Sequence, residues 1–137
     1  MDCGHRTLDH TADIALEIWA PSEEELLVEG ARAIVGLLTE QAQISPSASR
    51  ELSLDTVDPE DRLVHWLNEV VWLAISEGFL TQEAEIRLRT DGLDARLLGQ
   101  AAARGGIRTE LKSVTYHALC LEKDSNGRFL ARVVIDV

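Results

Sequence analysis

Side chains able to bind a cation or move a proton are concentrated near the N-terminus, in the run Asp9-His10-Thr11-Ala12-Asp13-Ile14. Two carboxylates, an imidazole and a hydroxyl lie together there, and an alternating apolar stretch follows directly. Charges at the edge of a core need a partner, a metal ion or a changed pKa. This run is therefore the first candidate site, and it requires partners from elsewhere in the chain.

The C-terminal segment carries a second concentration of oxygen atoms. It is apolar from Val133 to Ile135 and places Asp136 beside the α-carboxylate of Val137. Neighbouring carboxylates repel each other unless a cation intervenes. If the first and last strands are neighbours, Asp13 and Asp136 meet, and oxygen ligands without cysteine favour Mg²⁺, Ca²⁺ or Mn²⁺ over zinc. The alternative interpretation is a solvated terminal aspartate, and spacing alone does not decide between the two.

A third polar cluster, Glu110 to His117, mixes a carboxylate, an ammonium group, hydroxyls and an imidazole along a predicted strand. Alternation places Thr115 and His117 on one face. Lys112 can orient a phosphate or pair with an acid of the first run, although edge strands often carry a lysine for other reasons. His10 and His117 are candidates for acid–base work, but a histidine at a strand end is more often simply hydrogen bonded.

Two helices are expected between these clusters. Ser22 with Glu25 three residues later forms a capping-box pattern, and helical spacing of apolar residues continues to about Thr39. Asp58-Pro59 is a strong start for a second helix that ends near Gly78. In that helix Trp66 and Trp72 are more often core or core-edge packing than a binding platform.

The remaining patterns indicate strands. The predicted strands are Ile14–Ala20, Glu51–Val57, Glu85–Thr90, Leu93–Ala103, Leu111–Lys123 and Arg128–Val137. Because the strands cluster late in the chain, the pattern predicts an α+β fold. We expect a single domain with about six mostly antiparallel strands and two helices packed on one sheet face.

Composition limits the classes of protein. The chain has 137 residues, of which 45% are hydrophobic and 27% charged, as in an ordinary globular domain. It contains no apolar run that could span a bilayer and no signal-sequence pattern, so we expect no membrane association. Two well-separated cysteines, Cys3 and Cys120, fit a reducing cytoplasm.

Charge is the most informative bulk property. Thirteen Lys and Arg residues stand against 24 Asp and Glu residues, which gives a net charge of -11. Proteins that grip nucleic acid directly usually show a basic patch, and none is visible in the sequence. Direct nucleic-acid binding is therefore disfavoured, and the acidic surface suits a cation or a basic protein partner, or simply confers solubility.

Four motifs together resemble the archease family. They are Asp9 to Ile14, the helical His65-Trp66-Leu67-Asn68-Glu69, the strand Glu110 to His117, and the ending Val134-Ile135-Asp136-Val137. Archeases are small acidic cofactors of the RtcB-type RNA ligase, which joins RNA ends using GTP and a guanylylated histidine of its own. The resemblance implies that this chain promotes guanylylation and turnover of such a ligase in tRNA splicing and RNA repair, without being an enzyme itself.

The resemblance also implies a metal site. The family's cation, usually described as calcium, corresponds to ligands Asp13, Asp136 and Val137, and Lys112 is the further polar residue expected to matter. Asp9, His10 and Thr11 would then hold the site in place, with Thr115 and His117 as further candidates for contact with a partner. Two departures concern the short segment 101–109 and the lead-in at residues 3–5, which lacks the family's usual aromatic.

Two other functions stay open at the level of sequence. A stand-alone metal-dependent hydrolase would use His10 or His117 as base, but no nucleophile motif or phosphate-binding glycine loop accompanies them. A chaperone-like scaffold for RNA-processing proteins would need no metal at all. Metal analysis separates the scaffold from the ligase cofactor.

Overall fold

Two helices and seven strands make up the part of the chain that the computed structural model describes, which comprises residues 2–8, 13–40, 43–103, 105–107 and 111–137. In chain order the elements are β1 (Gly4–Leu8), β2 (Ile14–Ala20), α1 (Glu23–Leu38), β3 (Ala48–Leu54), α2 (Pro59–Glu77), β4 (Phe79–Arg89), β5 (Gly92–Ala101), β6 (Ser113–Lys123) and β7 (Phe129–Asp136).

Both helices begin where the sequence predicts. The Ser22 hydroxyl accepts a hydrogen bond from the backbone N–H of Glu25 at 3.1 Å, and the Asp58 carboxylate accepts one from Asp61 at 3.0 Å. These bonds satisfy N–H groups that the first turn of a helix leaves without a partner. Helix α2 ends at Gly78, whose φ of 68° is the left-handed conformation that glycine adopts without strain.

The strands divide into two antiparallel sheets. The first has the order β1-β2-β7-β6 and the second has the order β3-β5-β4. Strand β2 lies inside the first sheet and turns Leu16 and Ile18 into the core, as their alternation predicts.

The helices join the two sheets. Helix α1 contacts β2 of the first sheet and β4 of the second, and α2 contacts β6 of the first and β4 of the second. Trp66 is fully buried, and its Nε1 donates to the carbonyl of Leu27 at 2.7 Å, which ties α2 to α1. Trp72, by contrast, is 52% exposed.

The predicted α+β class with two helices against antiparallel strands is confirmed. The division into two sheets is an addition, because an alternating strand can join either sheet equally well. Strand β1 was not predicted, since its short sequence is largely polar and exposed. Strand β4 begins directly after Gly78, six residues before the predicted start at Glu85, and β3 lies three residues earlier than predicted. Within the described ranges no helix is both long and apolar enough to cross a membrane.

Candidate functional site

The two aspartates singled out in the sequence lie at the same end of the first sheet. Strands β2 and β7 pair in antiparallel fashion, and the last matched pair at this end is Ile14 with Ile135. The next residues outward are Asp13 and Asp136, so the register sets them opposite each other. Side chains directly opposite on antiparallel strands share a face of the sheet.

Strand β6 completes this end on the other side of Asp136. Ser113 is paired with Asp136, and the backbone N–H of Lys112 donates to the Asp136 carbonyl at 2.9 Å. Asp136 therefore lies between Asp13 and Ser113. We call the group of Asp13, Ser113, Asp136 and Val137 the aspartate end of the first sheet.

The carboxylates of the aspartate end have no basic partner among the residues that the structure describes. Asp13 and Asp136 are half-buried, Lys112 is exposed, and Val137 is 41% exposed. Glu17 of the same sheet, by contrast, lies between the guanidinium groups of Arg6 and Arg132. Two unpaired like charges side by side raise the electrostatic energy unless a cation lies between them.

The donors of the aspartate end fit a hard cation. They comprise two carboxylates, the Ser113 hydroxyl and main-chain oxygens of Val137, the ligand type that Ca²⁺ and Mg²⁺ prefer. In the described ranges no group of three or more His, Cys, Asp or Glu side chains could hold a metal ion. Two aspartates with the Ser113 hydroxyl, main-chain oxygen and water are therefore the ligand set that these residues can offer.

Several predicted site residues fall outside the described ranges. They are Asp9, His10 and Thr11 of the first polar run, together with Glu110 of the third cluster. The roles predicted for them stay predictions. Their neighbours in sequence, Asp13 and Leu111, are described.

Thr115 and His117 lie on β6, but a distortion separates them. The Thr115 hydroxyl donates to the Val134 carbonyl at 2.9 Å and accepts from the His117 backbone N–H at 3.3 Å. Beyond Thr115 the register with β7 shifts until Cys120. His117 therefore lies in the irregular part of β6, and the prediction that it shares a face with Thr115 stays a prediction.

Asn68 is a residue that the sequence reasoning did not select. Its side-chain amide donates to the Val114 carbonyl at 3.0 Å, and its amide oxygen accepts from the Val114 N–H at 2.7 Å. Both groups belong to the residue next to Ser113, so helix α2 holds β6 where it adjoins the aspartate end. The available signal was one amide in an otherwise apolar stripe of α2.

Shifted pKa values occur elsewhere in the molecule. Desolvation, followed by the charge of nearby glutamates, raises the pKa of Cys120, and desolvation with a hydrogen bond to Glu25 raises that of Cys3. Nucleophilic cysteines need a lowered pKa, so neither thiol has the character of an activated nucleophile. Hydrogen bonds from Ser53 and Arg87 lower the pKa of Asp94 on the second sheet.

Comparison with known proteins gives a consistent result over nearly the whole chain. The profile described as "Archease protein family (MTH1598/TM1083)" matches residues 5–137. Protein archease of Methanopyrus kandleri is 31% identical over 136 residues, covering 95% of this chain and 96% of the relative. Protein archease of Archaeoglobus fulgidus is 30% identical over 136 residues, covering 97% and 98%.

A solved structure has the same fold. The solution structure of Methanobacterium thermoautotrophicum protein 1598 superimposes with a TM-score of 0.75 at 23% identity, covering 98% of this chain and 99% of that one. The matched profile extends from β1 through both aspartates of the aspartate end to the last residue, Val137. The chain belongs to the archease family.

Proposed function

We propose that this protein is a cation-binding accessory protein that promotes guanylylation and multiple turnover of an RtcB-type RNA ligase in tRNA splicing and RNA repair. It acts in the cytoplasm and is not itself an enzyme. The observation that carries the proposal is that Asp13 and Asp136 adjoin the paired residues Ile14 and Ile135 at one end of β2 and β7, with no basic partner for either in the described ranges. Membership of the archease family supports the proposal, and the reaction and the partner are those that the sequence resemblance implies.

The residues of the aspartate end have separate roles in this proposal. Asp13, Asp136 and a main-chain oxygen of Val137 bind the cation, which is calcium in the first instance and Mg²⁺ or Mn²⁺ in the second. Asp9, His10 and Thr11 hold Asp13 in position, and the exposed Lys112 is available to a phosphate group. A bound divalent cation offsets negative charge at the ligase's nucleotide site.

The position of the aspartate end supports a role in presenting its bound cation to another protein. Val137 and Lys112 are both exposed, so the site lies where a second protein can reach it. Neither described thiol is activated for attack, which leaves a hydrolase without a nucleophile of that kind. In this proposal the ligase carries out the guanylylation and the ligation. The accessory protein contributes the positive charge of its cation and holds that cation in position.

Cation binding is tested with the isolated protein. Calcium titration by calorimetry is expected to detect a site in the wild type, and Asp136→Asn or Asp13→Asn should weaken it at least about tenfold, since each removes a charged ligand. Asp55→Asn is the matched control, because its side chain is 88% exposed on the second sheet's side of the molecule. Equal affinity in all four proteins would remove the metal site from the proposal.

Function is tested by multiple-turnover ligation with the cognate ligase. Product should accumulate beyond one turnover only when the wild-type protein is present, and both site variants should lose this stimulation while keeping the wild-type melting temperature. Stimulation that survives chelation of divalent ions from the accessory protein would favour a scaffold without metal. Equal product with and without the protein would contradict the proposed function altogether.

A further inference from the structure

Large apolar side chains reach solvent along one side of helix α2. Trp72 is 52% exposed and Ile75, one turn further on, is 40% exposed. Asn68 precedes Trp72 by one turn and is bonded to Val114 of β6, so this side of α2 lies next to the edge strand. Isolated exposed apolar residues are ordinary, but a group of them indicates a contact site.

Strand β6 contributes an aromatic ring to the same side. Tyr116 is 53% exposed, and partial desolvation followed by the charge and hydrogen bond of Asp61 raises its pKa. Tyr116 therefore lies beside the first turn of α2, while Val114 lies beside its middle. We call the solvent side of this helix and strand the α2–β6 surface; its residues are Asp61, His65, Asn68, Trp72, Ile75 and Tyr116.

The free edge of β6 is closed to another strand in this region. Asn68 occupies both backbone hydrogen-bonding groups of Val114. Beyond Thr115 the strand arches out of the ladder, and Ala118 has a φ of 52°, a conformation uncommon for alanine. A protein that binds here must do so through side chains and not by adding a strand to the sheet.

Charge around the α2–β6 surface selects the kind of partner. Helix α2 has one Lys or Arg residue, Arg62, and it is buried in an ion pair with Glu23. The acids Asp58 and Asp61 are exposed at the start of α2, Glu69 is half-buried further along it, and the whole chain carries a net charge of -11. A second copy would bring the same acids to the same place, whereas a basic surface is complementary.

We propose that the α2–β6 surface docks a basic surface of the ligase, with Trp72 as the anchoring side chain. This inference rests on the proposed function. This surface adjoins the aspartate end. Asn68 is bonded to Val114, and the two residues before Val114, Ser113 and Lys112, contact Asp136. A ligase that covers Trp72 is therefore held beside Asp13 and Asp136, and the docking surface sets how the aspartate end meets the nucleotide site.

Binding of the purified ligase to variants of the full-length protein tests the docking surface. Trp72→Ala and Ile75→Glu are each expected to raise the dissociation constant about tenfold or more, because central aromatic anchors dominate interfaces. Val57→Ala is the matched control: Val57 is 73% exposed and precedes α2, roughly 20 Å along the helix from Trp72. Its dissociation constant should stay within about twofold of the wild-type value.

Three outcomes overturn the docking surface. The first is that Trp72→Ala and Ile75→Glu both bind the ligase with the same dissociation constant as the wild-type protein. The second is that the wild-type protein sediments as a dimer and Trp72→Ala as a monomer, since the surface is then covered by another copy of this chain. The third is a wild-type protein that neither binds nor stimulates the ligase, which contradicts the proposed function as well. Calcium titration and melting temperature are expected to match the wild type in Trp72→Ala, which separates loss of docking from loss of the metal site or the fold.

Discussion

At the scale of single residues, Arg62 shows how a charge can be held inside this protein. Its side chain is 7% exposed; Nε lies 2.7 Å from the Glu23 carboxylate and Nη1 donates to the Thr56 carbonyl at 2.9 Å. Because Glu23 is in the first turn of α1, the pair links the beginnings of both helices. A buried charge that loses its partner costs far more free energy than the pair itself supplies.

Arg62→Ala is expected to lower the free energy of unfolding by about 3 kcal/mol, because Glu23 is left without its partner. Arg87→Ala is the matched control: its side chain is 79% exposed and pairs with Asp94, so the loss should stay below about 1 kcal/mol. Urea unfolding followed by tryptophan fluorescence measures both. Similar losses in the two variants would show that burial of Arg62 has little effect.

Residue type and position in sequence were enough to select Asp13 and Asp136, since an acid directly beside an apolar strand interrupts the pattern around it. They were not enough to select Asn68. An amide in a helix is ordinary until its partner is known, and Val114 lies on a strand far along the chain. Trp66 and Trp72 make the same point, because one is fully buried and the other half exposed on the same helix.

At the scale of elements, the contact between α2 and β6 decides the position of the aspartate end. The Asn68 amide satisfies the edge N–H and C=O of Val114, and Ser113 and Lys112 follow toward Asp136. Helix α2 thereby fixes a strand whose other edge pairs with β7.

Asn68→Ala is expected to lower the free energy of unfolding by about 1–3 kcal/mol, because two backbone groups lose their hydrogen bonds. It should also weaken calcium binding in the folded protein, since Ser113 is no longer held beside Asp136. Asn126→Ala, in the exposed turn before β7, is the control and should change neither quantity appreciably. Calorimetric titration and urea unfolding give the two values; a loss of stability with unchanged calcium affinity would assign Asn68 a purely structural role.

At the scale of the whole molecule, net charge bears on the proposed docking with a basic surface of the ligase. A charge of -11 attracts a basic surface before contact is made, and dissolved ions screen that attraction. Asp61 of the α2–β6 surface and the neighbouring acids Asp58 and Glu69 contribute to this field, as do the two carboxylates of the aspartate end.

The rate constant for association with the ligase is therefore expected to fall about tenfold when salt rises from about 50 to about 500 mM. The rate constant for dissociation should change less, because short-range contacts of Trp72 and its neighbours control it. Stopped-flow mixing at several salt concentrations measures both constants. An association rate that does not respond to salt would mean that net charge has no part in recognition.

Features that depend on near neighbours along the chain could be predicted from the amino-acid sequence. Helix starts at Ser22 and Asp58, the end of α2 at Gly78 and the core faces of β2 and β7 follow from caps and from apolar period, which are local. The candidate residues Asp13 and Asp136 were identified for the same reason.

Pairing between strands that are far apart in the chain could be learned from the folded molecule alone. Pairing of β2 with β7 joins residues at opposite ends of the chain, and many alternative pairings bury similar apolar area. That pairing sets Asp13 opposite Asp136, and packing of α2 against β6 places Asn68 on Val114 and leaves Trp72 facing solvent. Local patterns carry no information about such contacts, because their free energy arises only when distant segments meet.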